Sequence, residues 1–286
     1  SRALNSAMST LPNGKMPKID RDMCLNIART ALQGKATESD LEYCAELCVS
    51  VAEQVDGNLD NVRVVSQSGG ALNDSYVYQG VILNKEFISS EGPRELDNNI
   101  LILNGGLDGF DMSEVQMQIT DPAQMASLKQ KELALLAEAA SMVAGAIGED
   151  GGVLFVRDRV HEAVSHYLSQ HSIQVVSGLN QSDIDAISKM TKSVVYHHIA
   201  DVREGDELSS AKVKEEKIGD LTFVSVNGLK DIVTLVIRGA TRHTVDEFER
   251  AFDDAVGVSC IYYQDPRVVA GGGSSYAKMA KNIRNE

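Results

Sequence analysis

The sequence predicts an α+β fold in which helical and strand elements at the two ends enclose a mixed α/β domain, and three observations predict it. Apolar positions recur at helical spacing near the N-terminus, at Cys24, Ile27, Ala28, Leu41, Cys44, Leu47, Cys48 and Val51. The period then changes to β-branched and aromatic runs bounded by Gly, Asn and Asp, at 62–66, 76–83 and 100–104. From residue 153 onward, strand and helix patterns alternate.

The elements follow in order. Residues 1–20 carry Pro12, Gly14 and Pro17 and read as a linker. A helical hairpin covers 22–55, interrupted at Gly34-Lys35-Ala36 and restarted by Thr37, with Asp40 three residues on. After the three strand patterns comes a helix start, with Asp121 as N-cap, Pro122 at the first helical position and Gln124 closing the box. The helix it opens has unlike halves. Residues 123–132 are mainly polar, with Met125 and Leu128 as large apolar members, whereas 133–147 are apolar nearly all round. The second half is therefore expected to be buried and the first to project into solvent. Strands are expected at 153–156, 173–176, 194–199, 222–226 and 232–237. Helices are expected at 160–170, at 182–190 capped by Ser182, and after a Thr244–Glu247 capping box. In that last helix Phe248, Ala251, Phe252, Ala255 and Val256 share one side, and a short helical pattern at 276–283 closes the chain.

Composition narrows the function classes. The net charge is −14 and no cluster of Lys or Arg stands out, which argues against a nucleic-acid surface. No apolar run approaches the roughly 20 residues of a membrane span, and the N-terminal stretch lacks a signal pattern. The four cysteines, Cys24, Cys44, Cys48 and Cys260, are too few for a disulfide scaffold and read as reduced core thiols in a cytoplasm. His161, His166 and His171 are five apart, so successive rings sit about 140° apart around a helix and do not converge on a metal. His197 and His198 are adjacent on an expected strand and point to opposite faces.

Six stretches, in order, resemble the group II chaperonin family, the archaeal thermosome and eukaryotic cytosolic type. NIARTALQGKA (26–36) is similar to the first helix of that family's intermediate domain, and GGALNDSYVYQGVILNKE (69–86) to its Gly-Gly…Asn-Asp strand entry. ITDPAQM (119–125) resembles the start of the helical protrusion that forms the family's lid, and VHEAVSHYLSQHSI (160–173) the apical helix facing the folding chamber. VTLVIRGATRHTVDEFERAFDDAV (233–256) resembles the return into the intermediate domain, and VVAGGG (268–273) the re-entry into the equatorial domain.

The resemblance implies a discontinuous intermediate domain, at 20–82 and 231–271, with an inserted mixed α/β apical domain at 83–230. The apical domain carries its helical protrusion at about 108–130. Residues 1–19 would be an equatorial remnant and 272–286 the start of the equatorial return. The family's Gly-Asp-Gly-Thr-Thr motif is absent, so the chain is expected to be an excised piece, about half of a subunit, inactive as an ATPase by itself. The implied function is that of an ATP-dependent molecular chaperone. Apical surfaces bind non-native proteins, the protrusion closes a double-ring chamber, and the intermediate domain relays ATP hydrolysis. ATP and Mg²⁺ would be cofactors of the full-length subunit, with none expected on this segment; its partners would be client proteins and other ring subunits.

Within this reading Asp254 matches the family's catalytic aspartate, just before an Ala of the helix, and would orient the attacking water. The alternative is a solvated pair with Asp253, and the two carboxylates point about 100° apart. Gly272 best matches a glycine that contacts nucleotide, with Gly271 and Gly273 beside it; glycine admits such close approach, and a hinge would use the same residues. Where the family commonly continues with an acidic residue, this chain has Ser274-Ser275-Tyr276. Met125 and Leu128 are candidates for client contact on the lid, or else pack on the domain's own body. On the apical helix Val160, Ala163, Val164, Tyr167 and Leu168 form one apolar stripe, half of which is core by default. The resemblance turns its outer edge, with His161, Ser165 and Gln170, toward substrate. A different class of reading is a stand-alone peptide-binding or scaffold protein with an apical-like fold and no ATPase cycle.

Overall fold

The computed structural model describes residues 17–35, 40–108, 122–203, 205–218, 221–228 and 232–284, with backbone alone described for 122–129 and 218. Its mixture of helices and sheets is the α+β class expected. The chain divides into two compact units, one built from both ends (up to Val77 and from Leu235 on) and one from Tyr78–Thr234.

In the first unit, three helices pack on one another: α1 (Arg21–Leu32), α2 (Leu41–Gln54) and α6 (Arg242–Gln264). Asp20 caps α1, its side chain accepting from the Asp22 N–H, and Cys24, Leu25, Ala28 and Leu32 form the buried side. On α2 the buried set is Cys44, Ala45, Cys48, Val49, Val51 and Ala52. The buried face of α6 runs from Val245 through Phe248, Phe252 and Val256 to Cys260 and Tyr262. The expected cap Thr37 lies outside the described residues; α2 itself begins at Leu41, after Asp40. One cap of this unit differs from expectation. The cap of α6 is Thr241, in extended backbone conformation, whose Oγ1 accepts from the Thr244 N–H at 3.3 Å. Thr244 is thus the third helical residue and the donor, not the cap. Beside the helices lies a sheet of β1 (Val62–Ser68), β10 (Val233–Gly239) and β2 (Tyr76–Gln79), in that order.

The second unit is built on a seven-stranded sheet. Its path is β3 (Val81–Leu83), β9 (Leu221–Asn227), β8 (Ser210–Ile218), β4 (Glu95–Leu103), β5 (Gly152–Val156) and β6 (Ile173–Val176); β7 (Val195–Tyr196) pairs with β4 off this path. β4, β5 and β6 are parallel, in register Leu101↔Leu154↔Val175. Both faces of these strands are covered, which is why apolar residues stand at successive positions in 100–103, 153–156 and 175–176. On one face Ile100, Ile102, Val153 and Phe155 meet Ile184, Ile187 and Met190 of α5 (Gln181–Thr191). On the other, Leu101, Leu103, Leu154 and Val156 meet α3 (Pro122–Ile147) and α4 (Glu162–Gln170).

Several boundaries moved for identifiable reasons. The expected strand 76–83 breaks at Gly80, where φ is +140° and a Cβ would lie 2.5 Å from the Val226 carbonyl oxygen. There the chain leaves β10 and joins β9. The buried Thr234 hydroxyl donates to the Gly80 carbonyl at 2.6 Å and accepts from the Ile82 N–H at 3.4 Å, satisfying groups the ladder abandons. α5 is capped by Asn180, not Ser182, with Asp183 completing a reciprocal capping box. The strand expected at 194–199 keeps two residues, because 199–201 turn into a 3₁₀ segment. β8 was not expected at all. Its inward Ala211 and Val213 alternate with Lys212 and Lys214, and the charged residues mask a half-buried strand. Asp121 lies outside the described residues, while Pro122 is the first residue of α3 as expected.

The apolar second half of α3 is not buried all round. Leu136, Ala140, Val143, Ala146 and Ile147 face the core, but Leu133 and Leu135 are each 45% exposed. One sheet face can cover one side of a helix, and nothing among the described residues covers the other.

Candidate functional site

A cleft of about 300 Å³ in the first unit is lined by Gly34, Lys35, Glu247, Arg250, Ala251 and Asp254. Its floor follows from the periodicity of α6. Val245, Phe248, Ala251, Phe252 and Ala255 are buried, so the positions between them, including 247, 250 and 254, are turned outward. Gly34 and Lys35 follow the C-terminus of α1. Lys35 Nζ lies 2.6 Å from Asp254 Oδ2, joining residues far apart in sequence. The carboxylate remains 71% exposed and the lysine 33%, so solvent reaches the pair and the carboxylate is free to act on a ligand once the lysine moves. Asp253, its sequence neighbour, does not line the cleft. Loss of hydration, then the Glu249 and Asp254 charges, hold the Asp253 carboxyl above its ordinary range even though its surface is exposed.

Of the cleft residues, only Asp254 is among the candidates, through the family resemblance. Glu247, Arg250 and Asp254 follow a helical i, i+3, i+7 pattern that could have been read. No local pattern connects Lys35 to them.

Gly271, Gly272 and Gly273 are exposed, and none lines this cleft. Gly272 and Gly273 have φ of +61° and +74°, with open space where a Cβ would stand, so backbone conformation is what requires glycine there. The turn leads into α7 (Ser274–Arg284), where Ser274 Oγ donates to the Ala270 carbonyl at 2.6 Å and no residue is buried.

The stripe on α4 divides sharply. Val164 and Leu168 are 1% and 0% exposed and belong to the core, so their assignment as client-contacting residues is corrected: no client reaches a side chain with no surface. Ser165 is also buried, not outward. Val160 and Tyr167 are half-buried against that core and Ala163 is exposed, leaving these three as surface candidates. His161 is the N-cap of α4, its Nδ1 accepting from the Ala163 N–H at 3.1 Å. The side chains of Met125 and Leu128 lie outside the described residues.

The cysteines are all free and buried. Burial pushes the Cys44 thiol up to about 12 and Cys260 to about 11. Among the described residues no group of three or more His, Cys, Asp or Glu side chains lies placed to hold a metal ion. Among them, too, no helix is long and apolar enough to cross a membrane.

Comparison with known proteins adds a family to this geometry. The model of the TCP-1/cpn60 chaperonin family matches residues 1–286. Thermosome subunit beta of Methanothermobacter thermautotrophicus is 32% identical over 292 residues, covering 99% of this chain and 54% of its own length. The thermosome subunit of Methanopyrus kandleri is 32% identical over 279 residues, with 93% and 50% covered. The chain thus spans about half the length of the curated relatives it matches. Among solved structures, the open-state monomer of a group II chaperonin from Methanococcoides burtonii matches with a TM-score of 0.77 at 22% identity, over 99% of this chain and 72% of that one, a likeness of fold.

Proposed function

The chain belongs to the TCP-1/cpn60 chaperonin family, and on that premise we propose that it is the client-binding and relay segment of an ATP-dependent, ring-forming chaperone subunit of the cytoplasm. The second unit, residues 78–234, takes the role of the apical domain, and the first, joined from both ends of the chain, that of the intermediate domain. Non-native proteins are held by apolar burial and polar contacts on the apical surface, at Met125 and Leu128 and along Val160, Ala163 and Tyr167. Other subunits of a double ring complete the chamber.

The observation that carries the relay half of this reading is Asp254, an exposed carboxylate at a cleft, held by a lysine that can release it. In the full-length subunit Asp254 orients the water that attacks the terminal phosphoryl group of ATP. Gly271–Gly273 serve as the turn by which the chain leaves the segment, with Gly272 set against nucleotide. In this structure Lys35 occupies one oxygen of Asp254, a resting arrangement.

The test has two arms. This chain, without ATP, is expected to suppress aggregation of a chemically unfolded protein, and Met125→Ser with Leu128→Ser is expected to abolish most of that effect; undiminished suppression by the double variant removes the lid residues from the reading. In the ring-forming subunit that carries this segment, Asp254→Asn is expected to lower kcat for ATP hydrolysis at least about 10²-fold. Suppression by a parent that hydrolyses no ATP would point instead to a peptide-binding scaffold.

A further inference from the structure

Arg250 lies one helical turn before Asp254 on α6, is exposed, and lines the same cleft. Carboxylates stand within helical reach on both sides of it, Asp246 and Glu247 before and Asp253 and Asp254 after, at spacings where pairs ordinarily form. Among the described residues it pairs with none of them. Asp254 is taken by Lys35 at 2.6 Å, and Glu247 lies 3.8 Å from His243. Among the described residues the cleft therefore holds two cations, Lys35 paired with Asp254 and Arg250 with no ion-pair partner. The positively charged, planar fork of N–H donors of an arginine matches the oxygens of a phosphoryl group. A volume of about 300 Å³ is at the small end for a ligand site, suited to part of a nucleotide rather than to a whole one.

We propose that Arg250 is a phosphate-binding residue of the ATPase cycle, holding a non-bridging oxygen of the terminal phosphoryl group in this cleft. The phosphate charge then falls on Arg250, and the Asp254 carboxylate is left for the water. In the reaction the water oxygen bonds to phosphorus, the bridging P–O bond breaks with its electron pair on the departing ADP oxygen, and the water proton passes to the released phosphate. The proposal rests on the reading of Asp254 above and adds the group that presents the phosphoryl to it.

Steady-state ATP hydrolysis by the ring-forming subunit carrying this segment tests it. Arg250→Gln is expected to raise KM for ATP about ten-fold, Arg250→Lys to recover part of that loss, and Asp254→Asn to lower kcat with KM changed less than about two-fold. Unchanged KM and kcat in Arg250→Gln overturn the role of Arg250 and leave Asp254 standing. Wild-type turnover in Asp254→Asn overturns the reading beneath it. Should Arg250→Gln fail to assemble, Arg250→Lys decides alone: it keeps the charge but loses the fork, and a wild-type KM would exclude phosphate recognition by the guanidinium.

Discussion

Helices α6 and α3 are both long, 23 and 26 residues, and each lays one side on the core of its own unit, but their outer sides differ in kind. On α6 the outer side is charged, carrying Glu247, Arg250, Asp253 and Asp254, and it borders a cleft where a lysine from another element reaches in. On α3 the outer side includes Leu133 and Leu135, each nearly half exposed. An outward charged side on a rigid helix can orient water and phosphate, whereas outward leucines can hold only apolar partners without a fixed geometry. The difference teaches that the inner faces of the two helices do the same job and that the outer faces divide the labour.

The strongest way to break the comparison is to empty an inner face. Phe252→Ala on α6 removes a side chain with no exposure, and the expected loss is about 3–5 kcal/mol in chemical denaturation. A loss below about 1 kcal/mol would mean that α6 is not anchored as described. Next, Leu133→Ser with Leu135→Ser is expected to change stability by less than about 1 kcal/mol, yet to weaken aggregation suppression by the chain. Loss of stability comparable to a core deletion would show these leucines to be structural.

Smaller effects sharpen the charged side. The Asp253 carboxyl is raised, so its folded-state value lies above the roughly 3.9 of an unfolded chain. Its contribution to stability is then present below the unfolded value and lost as pH rises through the folded one. Asp253→Asn is accordingly expected to raise the denaturation midpoint at pH 7, the gain shrinking to nothing at acid pH; a gain that grew on acidification would reverse the sign assigned here. Last, the thiols at Cys44 and Cys260, raised to about 12 and about 11, are expected to resist alkylation at pH 8 in the folded chain and to react on unfolding. Rapid labelling of the native protein would contradict their burial.

Much of the fold was legible because it depends on neighbours in sequence. The apolar runs of β4, β5 and β6, the buried stripe of α6 and Pro122 at the start of α3 all follow from local period and propensity. β8 escaped notice because Lys212, Lys214 and Glu216 dominate its composition, while only Ala211 and Val213 carry the inward alternation. Cap positions slipped by two or three residues because several Ser, Thr and Asn candidates stand close together, and the backbone angles choose among them. Of the candidate site, Asp254 could be singled out only through the family resemblance of the residues around it, and its cleft could not be read at all.

The sequence by itself determined the class of fold, the alternation of elements between two helical ends, the four thiols destined for the interior, and the family resemblance, since each resides in patterns a few residues wide. Only the tertiary structure decided which half of the 160–168 stripe has any surface, that Leu133 and Leu135 remain outside, and that Lys35 meets Asp254. Those outcomes depend on which face of an element another element happens to cover, and on side chains brought together from distant positions, and no local period encodes either.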